Sequence, residues 1–114
     1  MTRTLLAACA LSSALAWAAP AHAHGLDLAV SVDCEAIRVE ASFAGGRPAG
    51  DGEVRLRDGA NALLATVALA SDGTAAIPLD RLDASGGFVV EVETSGHGDY
   101  RILTPEDVAR ACPR

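Results

Sequence analysis

Few side chains in this chain can do coordination or covalent chemistry. The histidines are His22, His24 and His97, and the cysteines are Cys9, Cys34 and Cys112. A hydrolytic site needs a nucleophile with a base held against it. Ser95, His97 and Asp99 stand at alternate positions, so an extended chain would place them side by side on one face, not in a nucleophile–base–orienter line. Gly96 and Gly98 between them read as a turn. No glycine-rich loop leads into a helix, so a phosphate cradle is also unsupported. These residues predict a protein without catalytic activity.

Coordination is the better use of these side chains. An N-terminus that begins at His24 offers a neutral α-amine and an imidazole to one divalent ion. One that begins at His22 presents His22-Ala23-His24, whose amine, two amides and third-position imidazole suit the square-planar preference of Cu(II) or Ni(II). His97, in a glycine-flanked turn beside Asp99, is the second candidate ligand. The metal candidates are therefore His24 and His97, with Ni, Co or Cu as the ion. The plain alternatives are a histidine that merely follows a cleavage site and a solvated loop histidine.

Whether His24 becomes a terminus depends on the leader. Arg3 precedes an uncharged apolar run from Leu5 to Ala19, and Pro20-Ala21-His22-Ala23 closes it. One positive charge, an apolar stretch and a small-x-small end make a cleavable secretory signal over residues 1–23, with cleavage after Ala23 or, second, after Ala21. The run is shorter than the roughly 20 residues of a permanent membrane span. Leu6-Ala7-Ala8-Cys9 has the form that precedes a lipid-modified cysteine, but the apolar stretch ahead of Cys9 is too short to act as a signal. The expectation is a periplasmic or secreted domain over 24–114, with no membrane span of its own.

Export removes Cys9 and leaves Cys34 and Cys112, an even pair in an oxidising compartment. A bond between them would close a loop of roughly 80 residues, worth about 4–5 kcal/mol in the chain-entropy model. The formal net charge is −6, and losing Arg3 makes the mature domain one unit more negative. Such a surface disfavours nucleic acid and anionic membranes and is compatible with cationic partners, metal ions included.

The elements that must hold these residues are short and β-favouring. Leu26–Val32 and Ala36–Phe43 alternate apolar and polar positions, with Ile37, Val39 and Ala41 on one face of the second run. The Gly-rich stretch from Gly45 to Gly52 then breaks the pattern. Val54 and Leu56 face inward in the next run, Asp58-Gly59-Ala60-Asn61 is a hairpin-type turn, and Leu63–Leu69 follows. Ser71-Asp72-Gly73-Thr74 is another turn; Ala75–Leu79 is short, and Pro78 marks an edge or strand end. After an Asp80–Gly87 loop come Phe88–Glu93, a turn over Gly96–Asp99 and Tyr100–Leu103. Thr104-Pro105-Glu106-Asp107 has the cap, proline and acids of a helix start, and the helix reaches about Ala111, where it would present Cys112. Seven strands with frequent turns and no crossover helices predict an all-β, seven-stranded antiparallel sandwich, Ig-like or prealbumin-like, with a short C-terminal helix.

The mature chain resembles a family of exported β-sandwich modules that accompany bacterial energy-coupling-factor nickel and cobalt transporters. The likeness rests on His24-Gly25, on Phe43-Ala44-Gly45-Gly46-Arg47-Pro48-Ala49-Gly50, on the strand at Val54–Arg57 with its Asp-Gly turn, and on Gly96-His97-Gly98-Asp99. Prealbumin-like regulatory domains attached to carboxypeptidases are wider relatives through the Gly-x-Pro…Gly-x-Val-x-Leu opening. The resemblance implies a non-enzymatic accessory module in nickel or cobalt uptake, with a transporter in the inner membrane as its partner. This chain ends in Cys112-Pro113-Arg114, where the transporter-associated pattern has a transmembrane anchor. The competing expectation is a generic extracytoplasmic interaction domain without metal.

Overall fold

The computed structural model describes residues 25–113; the expected signal peptide and His24 lie outside the described residues. Seven strands and one helix follow in order: β1 Leu26–Val32, β2 Ala36–Phe43, β3 Glu53–Asp58, β4 Leu63–Ala68, β5 Thr74–Pro78, β6 Phe88–Thr94, β7 His97–Leu103 and α1 Pro105–Ala111. They form two antiparallel sheets, one ordered β1-β2-β5 and the other β4-β3-β6-β7. The expected all-β sandwich with its C-terminal helix is the observed architecture.

Side-chain alternation decides which face of each strand turns inward. In β2, Ile37, Val39 and Ala41 are buried while Arg38 and Glu40 are exposed; in β6, Phe88, Val90 and Val92 are buried. Leu26 and Leu28 from β1, Val54 and Leu56 from β3, and Ile77 from β5 complete a core in which Phe88 is the largest enclosed side chain. Each such side chain contributes about 1.5–3 kcal/mol of apolar transfer when buried. Thr94 is a buried polar residue, and its hydroxyl donates to the Asp51 carbonyl. Pro78 ends β5, an edge strand, where its missing N–H leaves no ladder bond unmade.

The boundary that differs most from expectation is the start of the last strand; β4, β5 and β6 differ from their expected bounds by one residue at one or both ends. The last strand begins at His97, not Tyr100, and the turn is Ser95-Gly96 alone. Ser95 has φ 49° and Gly96 φ 76°, the left-handed pair of a type I′ two-residue hairpin. Thr94 then sits opposite His97, and Gly98 continues the ladder opposite Glu93. Gly98 is strand backbone, so two glycines close together do not make one wide turn.

The helix closes the far end of the sandwich. Thr104 caps it with a reciprocal box: the Asp107 N–H donates to Thr104 Oγ1 at 3.1 Å, and the Thr104 N–H donates to Asp107 Oδ2 at 2.9 Å. Cys112, the C-cap, is bonded to Cys34, with Cα atoms 4.7 Å apart. The expected pairing is therefore present, and α1 delivers Cys112 to it. A disulfide is consistent with an extracytoplasmic location. Among the described residues no helix is long and apolar enough to cross a membrane.

Candidate functional site

The strands run between two chemically distinct ends. Gly25, the β2–β3 connection and the Ser95-Gly96 turn lie at one end; Cys34, α1 and the disulfide lie at the other. A seven-residue strand such as β1 or β7 separates them by roughly 20 Å.

At the first end, the Gly-rich stretch folds back on β2. Gly45 and Gly46, at φ 92° and 83°, take conformations that cost other residues a steric penalty. They return the chain so that the Phe43 N–H donates to the Arg47 carbonyl at 2.7 Å. This sets the Arg47 guanidinium 5.3 Å from the centre of the Phe43 ring, within cation–π range. On the same ring, the His97 imidazole makes an edge contact, with centroids 5.9 Å apart and planes at 71°. Phe43 belongs to one sheet and His97 to the other, so this contact bridges the sandwich. The Ala44 N–H donates to the Gly25 carbonyl at 3.1 Å, which ties the first described residue to the same end.

His97 is exposed. Asp99, its expected neighbour, is engaged elsewhere: Oδ2 accepts from Arg101 Nη1 at 2.9 Å, and Oδ1 accepts from the Tyr100 N–H at 2.8 Å. Ser95 lies in the hairpin turn, and no hydrogen bond links it to His97 or Asp99 among the described residues. Of the sequence candidates, His97 is thus placed at the Gly25 end, Cys34 and Cys112 at the other, and His24 lies outside the described residues. No group of three or more His, Cys, Asp or Glu able to hold a metal occurs among the described residues.

The sequence marks His97 but not its platform. Phe43 and Arg47 stand out there only as part of a turn motif. An aromatic followed by Ala-Gly-Gly-Arg does carry a signal, because the diglycine can fold the arginine onto the ring, but the contact with His97 spans two sheets and has no local trace. At the other end, a groove lined by Leu79, Leu82, Ala84, Pro105, Val108 and the two cysteines, with Glu35, Asp80 and Ser85 also in its lining, holds no histidine.

The chain matches no known family model, no curated protein and no solved structure. What stands is a small β-sandwich of two antiparallel sheets, with the Phe43–Arg47–His97 group at one end and a disulfide at the other.

Proposed function

We propose that this protein is a non-catalytic, extracytoplasmic accessory module that binds a divalent transition metal at its N-terminal end and serves in nickel or cobalt uptake. The observation that supports this reading is the tie between Gly25 and Ala44 beside the Phe43–His97 contact. Neighbouring Cα atoms are about 3.8 Å apart, so a mature terminus at His24 starts one peptide step from this end. On this reading the ion would draw on the α-amine and imidazole of that terminus together with the exposed imidazole of His97.

The donor set suits the ion only in that combination. His97 is a borderline nitrogen ligand of the kind that Ni(II), Co(II) and Cu(II) accept, while Asp99 is committed to Arg101 and the Tyr100 N–H. On this reading His97 is the donor from the described residues and the terminus supplies the rest. Phe43 would restrain the His97 ring through their edge contact. Transport of nickel or cobalt rests on the resemblance carried by His24-Gly25 and the Phe43–Gly50 segment. An inner-membrane transporter is the partner that goes with it.

Calorimetric titration of the mature protein with Ni(II), Co(II) and Cu(II) tests the site. Binding should weaken at least tenfold in His24→Ala and when one extra residue precedes His24, which keeps the imidazole but displaces the amine. It should weaken less in His97→Ala. Affinity should also fall with acid, because the ligand nitrogens must be deprotonated. Equal binding by all these forms would remove the N-terminal site and leave a metal-free interaction module.

A further inference from the structure

The free edge of β7 is built unlike the rest of the sheet. The two-residue turn at Ser95-Gly96 makes Thr94 and His97 a hydrogen-bonded pair, and the antiparallel ladder then alternates. Gly98, Tyr100 and Ile102 therefore turn their N–H and C=O groups away from β6. Among the described residues no further strand pairs with that edge, and β1 lies beside its Arg101–Leu103 end across a groove. Tyr100 and Ile102, on the outer face, are 59% and 62% exposed, among the most exposed large apolar side chains. Their inner-face neighbours are Asp99 and Arg101, which pair at 2.9 Å and also cover the Tyr100 backbone. The Tyr100 N–H donates to Asp99 Oδ1, and Arg101 Nη1 donates to the Tyr100 carbonyl, both at 2.8 Å.

We propose that β7 is the docking edge for a second copy of this chain, in an antiparallel two-fold pair centred on Tyr100. Three features select that register. It aligns the outward backbone groups, Tyr100 with Tyr100 and Gly98 with Ile102 of the second copy, so that the two edges complete one continuous ladder. It places Asp99 opposite the second copy's Arg101 twice over, so the charges that pair within one chain exchange partners across the axis. It also brings Tyr100 and Ile102 of both copies together on the outer face, where each is exposed alone. Moving the axis to Asp99 or to Arg101 sets like charges opposite one another, which destabilises a cross-strand pair. Because the Asp99–Arg101 pair must open as the edges meet, association is modest and concentration-dependent. The metal reading plays no part in this inference.

Sedimentation of the oxidised mature protein over a wide concentration range is the first measurement, with a concentration-dependent dimer expected. Asp99→Arg and Arg101→Asp should each weaken dimerisation at least tenfold. An equal mixture of the two should dimerise again, because both arginines of the first variant then face the two aspartates of the second across the axis. No rearrangement within a single chain can produce that rescue. If either variant fails to fold, Tyr100→Cys replaces it: a hydrogen-bonded cross-strand pair has Cα atoms about 5.5 Å apart, within disulfide reach. Oxidation should link this variant into dimers, while Thr66→Cys on the opposite edge strand should stay monomeric. A wild type that remains monomeric overturns the proposal, most clearly if Asp99→Ala/Arg101→Ala associates, since the ion pair would then be a guard on the edge. A dimer indifferent to both charge reversals overturns it equally.

Discussion

Asp33 shows how much of this fold depends on single polar side chains at turns. Its Oδ1 accepts from the N–H groups of Glu35 and Ala36 at 2.8 and 2.9 Å, and its Oδ2 accepts from Arg38 Nε at 2.7 Å. The Arg38 hydrogen bond is the main reason its carboxyl is held down from 3.8 to about 2, with the two backbone donors adding to it. A carboxylate depressed in the folded state adds stability that is complete above its unfolded pKa and is lost as pH falls through the folded one. Melting temperature should therefore decline between about pH 4 and about pH 2, and Asp33→Asn should make that decline shallower. An unchanged slope would show that Asp33 is not coupled to folding. At this scale the sequence is partly legible. His97 and the two cysteines stand out by type, whereas Phe43 and Arg47 acquire their meaning only when two sheets meet.

Among the elements, those with a local physical signal can be read from the chain. Strict alternation marks the inward faces of β2 and β6, and the cap residue, proline and acids mark α1. The start of β7 escapes such a reading because glycine density is an ambiguous signal: Gly96 takes φ 76° in the turn, while Gly98 lies in the ladder. Helix α1 has seven residues and none is buried, too short to persist alone in water. It is held by the Thr104 cap at one end and the disulfide at the other. Thr104→Ala should lower stability by about 1 kcal/mol, and Thr104→Ser should restore most of it. Thermal melts of the three proteins decide this, and equal melting temperatures would mean that the cap is idle. Asp107 also lies below its ordinary range, chiefly through the Thr104 N–H, so the cap should weaken in acid together with the Asp33 turn.

Across the whole molecule, the disulfide and the candidate site divide the labour between opposite ends. The Cys34–Cys112 bond, at a sequence separation of 78, ties the β1–β2 turn to the chain's last helix. Reduction should lower unfolding free energy by about 2–5 kcal/mol, read as a drop in denaturation midpoint against the oxidised protein. Cys34→Ser with Cys112→Ser should match the reduced form, and identical midpoints for all three would show that the bond contributes nothing. The sandwich itself is legible because its strands are short, alternating and joined by turns. The association of its ends is not, since long-range register leaves no mark on neighbouring residues. The end that carries Gly25, Phe43 and His97 is where the proposed metal site stands or falls. Nuclear magnetic resonance of the labelled mature protein with substoichiometric Co(II) tests it most directly, because a paramagnetic ion broadens only nearby signals. The amides of Gly25 and Ala44 and the His97 ring should broaden first, with those of Cys34 and α1 unaffected. Broadening spread over the acidic surface, or none at Gly25 and His97, would contradict a metal site at this end.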